Sequence, residues 1–333
     1  MSAEVAGVLL DRRVIPFPTS ISRPSVDALR GLVGADGVPL NALHQLPAAD
    51  DRDGWTALKA ASEAGYAETI AEAAGELRSE VATIVADGAT IHVATPEAPA
   101  RPDGAIIDLH GGALVLGGGA ACRVGTRRQA DLHGLRCYGV DYRTPPDHPF
   151  PAALDDCLAA YRHVLAHHAP DKVVIAGRSA GGNLAAAMLL RARDEGLPMP
   201  AGLVLLSPQV DLTESGDSFA VNRTVDVVLP GSLMAFNLLY AGGADLADPL
   251  LSPLFGDLAG FPPVFLQSGT RDLFLSNTVR MHRALRGTGV AAELHVFEAM
   301  PHGGFTGRTS EELELRGEVK AFVAARLGAP HGV

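Results

Sequence analysis

The sequence predicts an α/β fold, with a mostly parallel central sheet and helices on both of its faces. Two observations support this prediction. From about residue 80 onward, short apolar runs of strand length alternate with stretches of helical composition, which is typical of a parallel sheet joined by crossover helices. The chain is 333 residues long, which suits one large α/β domain with an appended segment.

The expected elements follow one another regularly after residue 80. Polar and apolar residues alternate on both sides of Asp87-Gly88, which predicts a hairpin. The expected strands span residues 80–85, 90–94, 105–109, 136–141, 172–176, 203–206, 264–267 and 293–297. The expected helices span residues 153–168, 183–193, 273–286 and 311–327. Residues 211–250 interrupt this alternation.

The first 80 residues have a different character. Proline-broken loops at 15–18 and 22–25 precede an alanine- and glutamate-rich stretch, 55–77, of helical composition. We therefore expect an N-terminal helical segment over residues 1–80 and an α/β domain over residues 81–330. The helical segment is either a lid or a leader that only packs on the domain, and residues 211–250 are a candidate second lid piece.

Charge and cysteine content argue against several classes of protein. With 27 basic and 38 acidic residues the net charge is −11, so the surface repels phosphate backbones and no nucleic-acid partner is expected. The three cysteines are odd in number and form no Cys-x-x-Cys pair, which favours a reducing cytoplasm. Residues 1–13 do not follow the plan of a signal peptide, and no stretch approaches the roughly 20 apolar residues of a membrane span.

Ser179 stands in the segment Gly177-Arg178-Ser179-Ala180-Gly181-Gly182, between an apolar strand and an alanine-rich helix. A strand, a glycine-flanked serine and a helix form a nucleophile elbow, in which a strained turn exposes the serine oxygen above the sheet. The alternative is a plain strand-to-helix turn whose serine only caps the helix.

A serine hydroxyl needs a base, and two further side chains follow later strands. His302 lies in a proline- and glycine-flanked loop after the last strand, and Asp272 follows the strand at 264–267. Ligands of such sheets bind outside the carboxyl ends of the strands, so these groups are expected to meet Ser179 as a catalytic triad. Asp272 is also a candidate helix N-cap, and Asp211, after the strand at 203–206, competes with it as the acid.

His110-Gly111-Gly112-Ala113 follows the strand at 105–109. This loop is the one expected to supply an oxyanion hole, and its small residues let the backbone approach a substrate. The candidate residues of the hole are Gly111, Gly112 and Ala113, with the N–H group of Ala180. A glycine-rich turn without a ligand is the alternative.

Together these segments resemble the hormone-sensitive-lipase-like esterases, the bacterial family IV carboxylesterases of the α/β-hydrolase fold. The resemblance runs from about residue 80 to 327 and depends on His110-Gly111-Gly112, Asp141-Tyr142-Arg143, Pro146–Ala152, the elbow motif, Asp272 and His302-Gly303. It implies a cap of N-terminal helices, oxyanion donors at Gly112, Ala113 and Ala180, and, since many members are dimers, leaves a homodimer open. Ala113 replaces a usual glycine, and Arg178 replaces a usual aspartate or threonine.

The sequence therefore predicts a cytoplasmic serine carboxylesterase that hydrolyses short- to medium-chain esters of small molecules through an acyl-enzyme. The prediction includes no metal or organic cofactor and no membrane partner. Lactonase, amidase, peptidase or acyltransferase activity on the same triad is the first alternative, because acyl transfer is common to all of them. The second is a non-catalytic small-molecule-binding protein on the same fold.

Overall fold

An eight-stranded sheet forms the centre of the protein in the computed structural model, which describes residues 14–43 and 45–328. The strands are β1 (Glu80–Ala86), β2 (Ala89–Thr95), β3 (Ala105–Leu109), β4 (Arg136–Asp141), β5 (Val173–Arg178), β6 (Gly202–Leu206), β7 (Val264–Gly269) and β8 (Ala292–Phe297). Their order is β1-β2-β4-β3-β5-β6-β7-β8. β1, β2 and β4 pair antiparallel, and the ladders from β4 to β8 are parallel.

Helices cover the sheet. They are α1 (Arg23–Gly31), α2 (Arg52–Gly75), α3 (Ala120–His133), α4 (Ala152–Leu165), α5 (Ala180–Asp194), α6 (Ser218–Val221), α7 (Met234–Ala241), α8 (Leu275–Gly287) and α9 (Ser310–Arg326). The predicted α/β fold with a mostly parallel sheet is confirmed, and each predicted strand is present within two residues of its expected bounds. None of the helices in the described ranges combines the length and the apolar composition that a bilayer crossing requires.

The hydrophobic core has two parts, one on each face of the sheet. Apolar side chains of the central strands face two buried clusters, and the larger one contains Ile107, Ile175 and Leu205, packed against α4 and α5. The smaller one contains Ile106 and Val174, packed against α9. Odd- and even-numbered side chains of a strand point to opposite faces, so β3 and β5 contribute to both clusters and are fixed at the centre of the fold.

Four helices were not predicted from the sequence, namely α1, α3, α6 and α7, and the last two lie within residues 211–250. Residues 22–25 were expected in a proline-broken loop, but α1 begins there, because Ser22 accepts a hydrogen bond from the Ser25 N–H and Pro24 lies in the first turn, where its missing N–H has no consequence. Helix α3 was also not predicted. It begins after Gly119, and its five polar or charged residues between Thr126 and Asp131 obscure the apolar period.

The N-terminal segment packs against the segment that interrupts the α/β alternation. Trp55 of α2 is fully buried and meets Phe236 of α7 edge to face, with ring centroids 4.9 Å apart. The Asn41 side chain donates to the backbone oxygen of Asp226, 3.0 Å away. Residues 1–13 of the predicted cap segment, and residues 329 and 330 of the predicted α/β domain, lie outside the described residues.

Candidate active site

Ser179 lies at the turn from β5 into α5 and has φ 55° and ψ −120°, a conformation that is rare for a residue with a side chain. The flanking glycines make this turn possible. A Cβ on Gly177 would lie 2.2 Å from the Gly181 oxygen, and one on Gly181 would lie 1.9 Å from the Leu109 oxygen. A side chain fits at neither position, so the turn itself requires Gly177 and the contact with β3 requires Gly181.

Ser179, His302 and Asp272 form one hydrogen-bonded chain, although they come from three separate loops. The Ser179 Oγ lies 3.0 Å from His302 Nε2, and His302 Nδ1 lies 3.1 Å from Asp272 Oδ1. The three residues are at most 7 % exposed. In this geometry the Nδ1–H group donates to the carboxylate, which leaves the Nε2 lone pair free to accept the serine proton.

Further hydrogen bonds orient the carboxylate of Asp272. Its Oδ1 also accepts the Phe274 N–H, and its Oδ2 accepts the Ser268 hydroxyl. Burial raises the pKa of Asp272, but the ion pair with His302 and the hydrogen bonds outweigh it, so the net pKa lies below its usual range. Asp272 therefore stays ionised. It is not the N-cap of α8, because Phe274 holds that position and no side chain caps it. Its carboxylate accepts the Phe274 N–H in the turn before the helix.

Asp211, the competing acid, does not reach His302. Its carboxylate accepts hydrogen bonds from Thr213 and Ser215 and pairs with Arg280 at 2.6 Å. The polar residues that follow Asp211 in sequence, together with Arg280 of α8, hold it in its own loop. The structure thus brings Asp272, and not Asp211, to the histidine.

The loop after β3 lies directly against the elbow. A Cβ on Gly111 would meet the Arg178 oxygen at 3.2 Å and the Ser179 Cβ at 3.4 Å. In the described part of the chain, the N–H groups of Gly112, Ala113 and Ala180 donate no hydrogen bond. Donors that are held near the serine without an acceptor are what an oxyanion hole needs.

His110 positions this loop. Its Nδ1 donates to the Gly111 oxygen at 2.7 Å, and its ring stacks on Tyr142 at 4.0 Å, whose hydroxyl donates to the His110 oxygen. Burial lowers the pKa of His110. Ala113 has φ 52°, so the left-handed conformation that a glycine would adopt freely is strained here.

Two further residues adjoin the triad, and sequence reasoning did not identify one of them, Asp226. Asp226 lies in the segment read as a lid, yet its Oδ2 accepts the Leu273 N–H. Burial and the nearby charge of Asp272 raise the pKa of Asp226 to about 6. Phe274 meets the His302 ring edge to face at 4.8 Å. Asp226 could not have been found, because 46 residues separate it from Asp272 and no motif surrounds it.

Arg178 is exposed, and its charge acts on Asp108 of β3. Burial raises the pKa of Asp108 to about 6, and the Arg178 guanidinium opposes this shift. One group of side chains that could hold a metal ion occurs among the described residues, namely His110, Cys122 and Asp141. The triad residues are not part of it.

Comparisons with known proteins identify the family of this chain. Residues 106–306 match a family model described as the alpha/beta hydrolase fold. An acetyl-hydrolase of Streptomyces hygroscopicus is 36 % identical over 207 residues, which cover 61 % of this chain and 69 % of that protein.

Two solved structures are similar over almost the whole chain. The crystal structure of an esterase superposes with a TM-score of 0.88 at 35 % identity and covers 96 % of this chain and 98 % of that one. The crystal structure of an esterase from the bacterial hormone-sensitive lipase family superposes with a TM-score of 0.76 at 30 % identity and covers 92 % of this chain and 99 % of that one. The resemblance stated from the sequence motifs is confirmed.

Proposed function

The chain belongs to the bacterial hormone-sensitive lipase family of α/β-fold hydrolases, and from that premise we propose that it is a serine carboxylesterase acting on short- to medium-chain esters of small molecules. The observation that carries the proposal is the continuous hydrogen-bonded chain from Ser179 through His302 to Asp272. The names of its relatives, acetyl-hydrolase and esterase, point to the same chemistry.

The acylation step uses the hydroxyl of Ser179 as nucleophile. His302 Nε2 takes the hydroxyl proton while the serine oxygen attacks the ester carbonyl, and the ionised Asp272 stabilises the imidazolium that forms. The carbonyl oxygen becomes an oxyanion, which accepts hydrogen bonds from the N–H groups of Gly112, Ala113 and Ala180. His302 then gives its proton to the leaving alcohol as the carbon–oxygen bond breaks.

Deacylation repeats the sequence with water. His302 takes a proton from a water molecule that attacks the acyl-serine, the oxyanion forms in the same place, and the proton returns to Ser179 as the carboxylic acid leaves. Each step conserves protons, and the groups it needs are side chains and backbone N–H groups of this chain.

We further propose that residues 1–80 and 211–250 act as a cap over this site. The cluster around Trp55 and Phe236 supports this role, because it also contains Leu273 and Phe274, which adjoin the triad, and packs against Ala113 of the oxyanion loop. An apolar cluster in that place favours an apolar acyl group over a charged one. A cap that reaches the acyl side would limit chain length, which supports short- to medium-chain substrates.

A cytoplasmic location and a lack of nucleic-acid partners stay predictions. The net charge of −11 supports the second of these. All three cysteines lie in the described ranges, are buried and form no disulfide, which supports a reducing compartment. The homodimer also stays a prediction, and analytical ultracentrifugation would decide it.

The central experiment compares the wild-type protein with Ser179→Ala on a series of p-nitrophenyl esters from acetate to dodecanoate. We expect the highest kcat/KM for the shorter acyl chains and a loss on the order of 10⁶-fold in kcat for the variant. Wild-type activity near the background rate on every ester, or a Ser179→Ala variant that keeps its activity, would contradict the proposal. Matched amide and lactone substrates, with and without an alcohol acceptor, separate the alternative acyl-transfer reactions.

A further inference from the structure

Behind the oxyanion loop, three potential metal-ligating side chains converge from three different elements. His110 follows β3, Cys122 lies in the first turn of α3, and Asp141 ends β4. The His110, Cys122 and Asp141 ligand atoms all lie within 4.8 Å of one another. This cluster, which we call the His-Cys-Asp cluster, supplies no nucleophile, acid or base in the proposed esterase mechanism.

The hydrogen bonds around His110 leave one ring nitrogen with a free lone pair. Its Nδ1 hydrogen is donated to the Gly111 oxygen, so the neutral ring presents an unprotonated Nε2. This atom is buried and has no hydrogen-bond partner in the described part of the chain. Histidines that bind metals commonly donate their other N–H to a backbone carbonyl, because this bond fixes the tautomer and orients the ring.

A second chain of hydrogen bonds orients His92, which lies beside Asp141. Arg123 donates to the Thr83 hydroxyl at 2.9 Å, which leaves the hydroxyl hydrogen for His92 Nδ1, also 2.9 Å away. His92 Nε2 then carries the ring hydrogen and lies 3.5 Å from Asp141 Oδ2. His92 is only 6 % exposed, and its Nε2 makes no hydrogen bond at this distance, so a buried imidazole is aimed at the cluster.

Some oxygen lone pairs of Asp141 therefore accept no hydrogen bond. Its Oδ1 accepts the Gly119 N–H at 2.9 Å, and one of its carboxylate oxygens lies within 4.8 Å of a His110 ring nitrogen and of the Cys122 Sγ. The one hydrogen among these three ligand groups is the weakly donating S–H. A cation stabilises a cluster of acceptors that lack donors, because it binds all of them at once.

We propose that the His-Cys-Asp cluster is a binding site for a divalent transition-metal ion, with Zn²⁺ as the favoured occupant. One nitrogen, one sulfur and one carboxylate ligand suit Zn²⁺ better than Mg²⁺ or Ca²⁺, which prefer oxygen ligands only. Tetrahedral zinc separates its ligand atoms by about 3.3–3.8 Å, so the cluster contracts by about 1 Å on binding. The His92 ring would then move closer to the Asp141 carboxylate.

A cavity borders one of the three ligands, Asp141. A space of about 240 Å³ is lined by Asp141, Tyr142 and the backbone of residues 117–119, with Lys59 of α2 at its rim. Water from this cavity completes the coordination of a three-ligand zinc site. Since the ion would tie His110 to α3 and β4, it would fix the start of the oxyanion loop, which gives it a structural role.

The test is metal uptake by the full-length protein after chelator treatment, measured without any substrate. The wild-type protein is titrated with Zn²⁺ against a chromogenic chelator, and with Co²⁺, whose bond to a thiolate gives a charge-transfer absorption band. Cys122→Ala removes the sulfur ligand. Cys137→Ala is the matched control, because this buried thiol lies on β4 about 13 Å along the strand from Asp141 and outside the cluster.

We expect about one Zn²⁺ per chain and the cobalt–thiolate band in the wild-type and Cys137→Ala proteins. Cys122→Ala should lose the band and at least about 100-fold in Zn²⁺ affinity. If Cys122→Ala does not fold, His92→Gln serves instead, and it should keep the band while its affinity falls about 10- to 100-fold. A wild-type protein that takes up neither ion, or a band that persists in Cys122→Ala, overturns the proposal whether or not the protein is an esterase.

Discussion

Replacing Asp272 with asparagine tests the role of the charge in the proposed triad. The Oδ1 of Asp272 accepts both His302 Nδ1–H and the Phe274 N–H. An asparagine that placed its NH₂ group there would face two donors, so its oxygen should take that position and its nitrogen should donate to the Ser268 hydroxyl. The tautomer of His302 is thereby kept, and the charge alone is lost.

The magnitude follows from the distance between the charges. At the observed 3.1 Å, two unit charges attract by about 5 kcal/mol at an effective dielectric of about 20. Because both charges are delocalised, about 3–5 kcal/mol of imidazolium stabilisation is lost, which corresponds to a fall of about 10²- to 10⁴-fold in kcat.

The assay is steady-state hydrolysis of p-nitrophenyl acetate, with circular dichroism to verify folding. Asp211→Asn is the matched control, since it removes the charge of another buried aspartate that does not contact His302. Its kcat should stay within about threefold of wild type. A loss below about tenfold for Asp272→Asn would refute the assigned role of Asp272, and a loss equal to that of Ser179→Ala would show that the tautomer is not kept.

Three further predictions follow from the packing. Gly181→Ala places a Cβ 1.9 Å from the Leu109 oxygen, so the elbow must shift. Turnover should therefore fall at least about 100-fold. Near-normal turnover would show that the elbow backbone adjusts more easily than its contacts imply. Ala113→Gly relieves the left-handed strain at φ 52° and keeps the N–H group. The free energy of unfolding in urea should therefore rise by about 1 kcal/mol, with little change in kcat. A large drop in kcat would mean that the strained conformation itself positions the N–H donor. Glu311→Gln weakens the bonds that its carboxylate accepts from the Ser22 N–H and hydroxyl, and should lower the Tm by a few degrees at neutral pH. Burial raises the pKa of Glu311, but hydrogen bonds lower it to about 2 from 4.5, so its stabilisation is full above pH 4.5 and fades toward pH 2; a Tm difference between wild type and variant that persists at pH 2 would contradict this assignment.

The central strands and the elbow could be predicted because their signals are local. The strand Val173–Arg178 begins with four apolar residues, and the glycine-flanked Ser179 follows it directly, so both the strand and the turn are predicted from that short segment. Asp272 and His302 were found by their positions just after strands, which the topology of a parallel sheet gathers at one edge.

Other features depend on distant contacts, and the sequence alone could not reveal them. Asp226 adjoins the triad because the segment that carries it folds back over α8, and no local pattern encodes that return. His92, Cys122 and Asp141 lie on β2, α3 and β4, and β2 pairs with β4 only through an antiparallel register that cannot be read from composition. The left-handed φ of Ala113 depends on how the loop meets the elbow, so the sequence alone does not reveal it.

The hydroxyl and the imidazole that it meets are 123 residues apart in sequence and follow β5 and β8, with β6 and β7 between them. Three ladders, β5–β6, β6–β7 and β7–β8, therefore hold the two groups together. We expect that opening any one of them separates the groups and abolishes activity. Enzyme activity therefore reports on the integrity of β5–β8. In a denaturant series, activity should be lost together with the cooperative unfolding of these four strands. Fraying of the β1–β2 hairpin at the opposite edge of the sheet should leave activity unchanged.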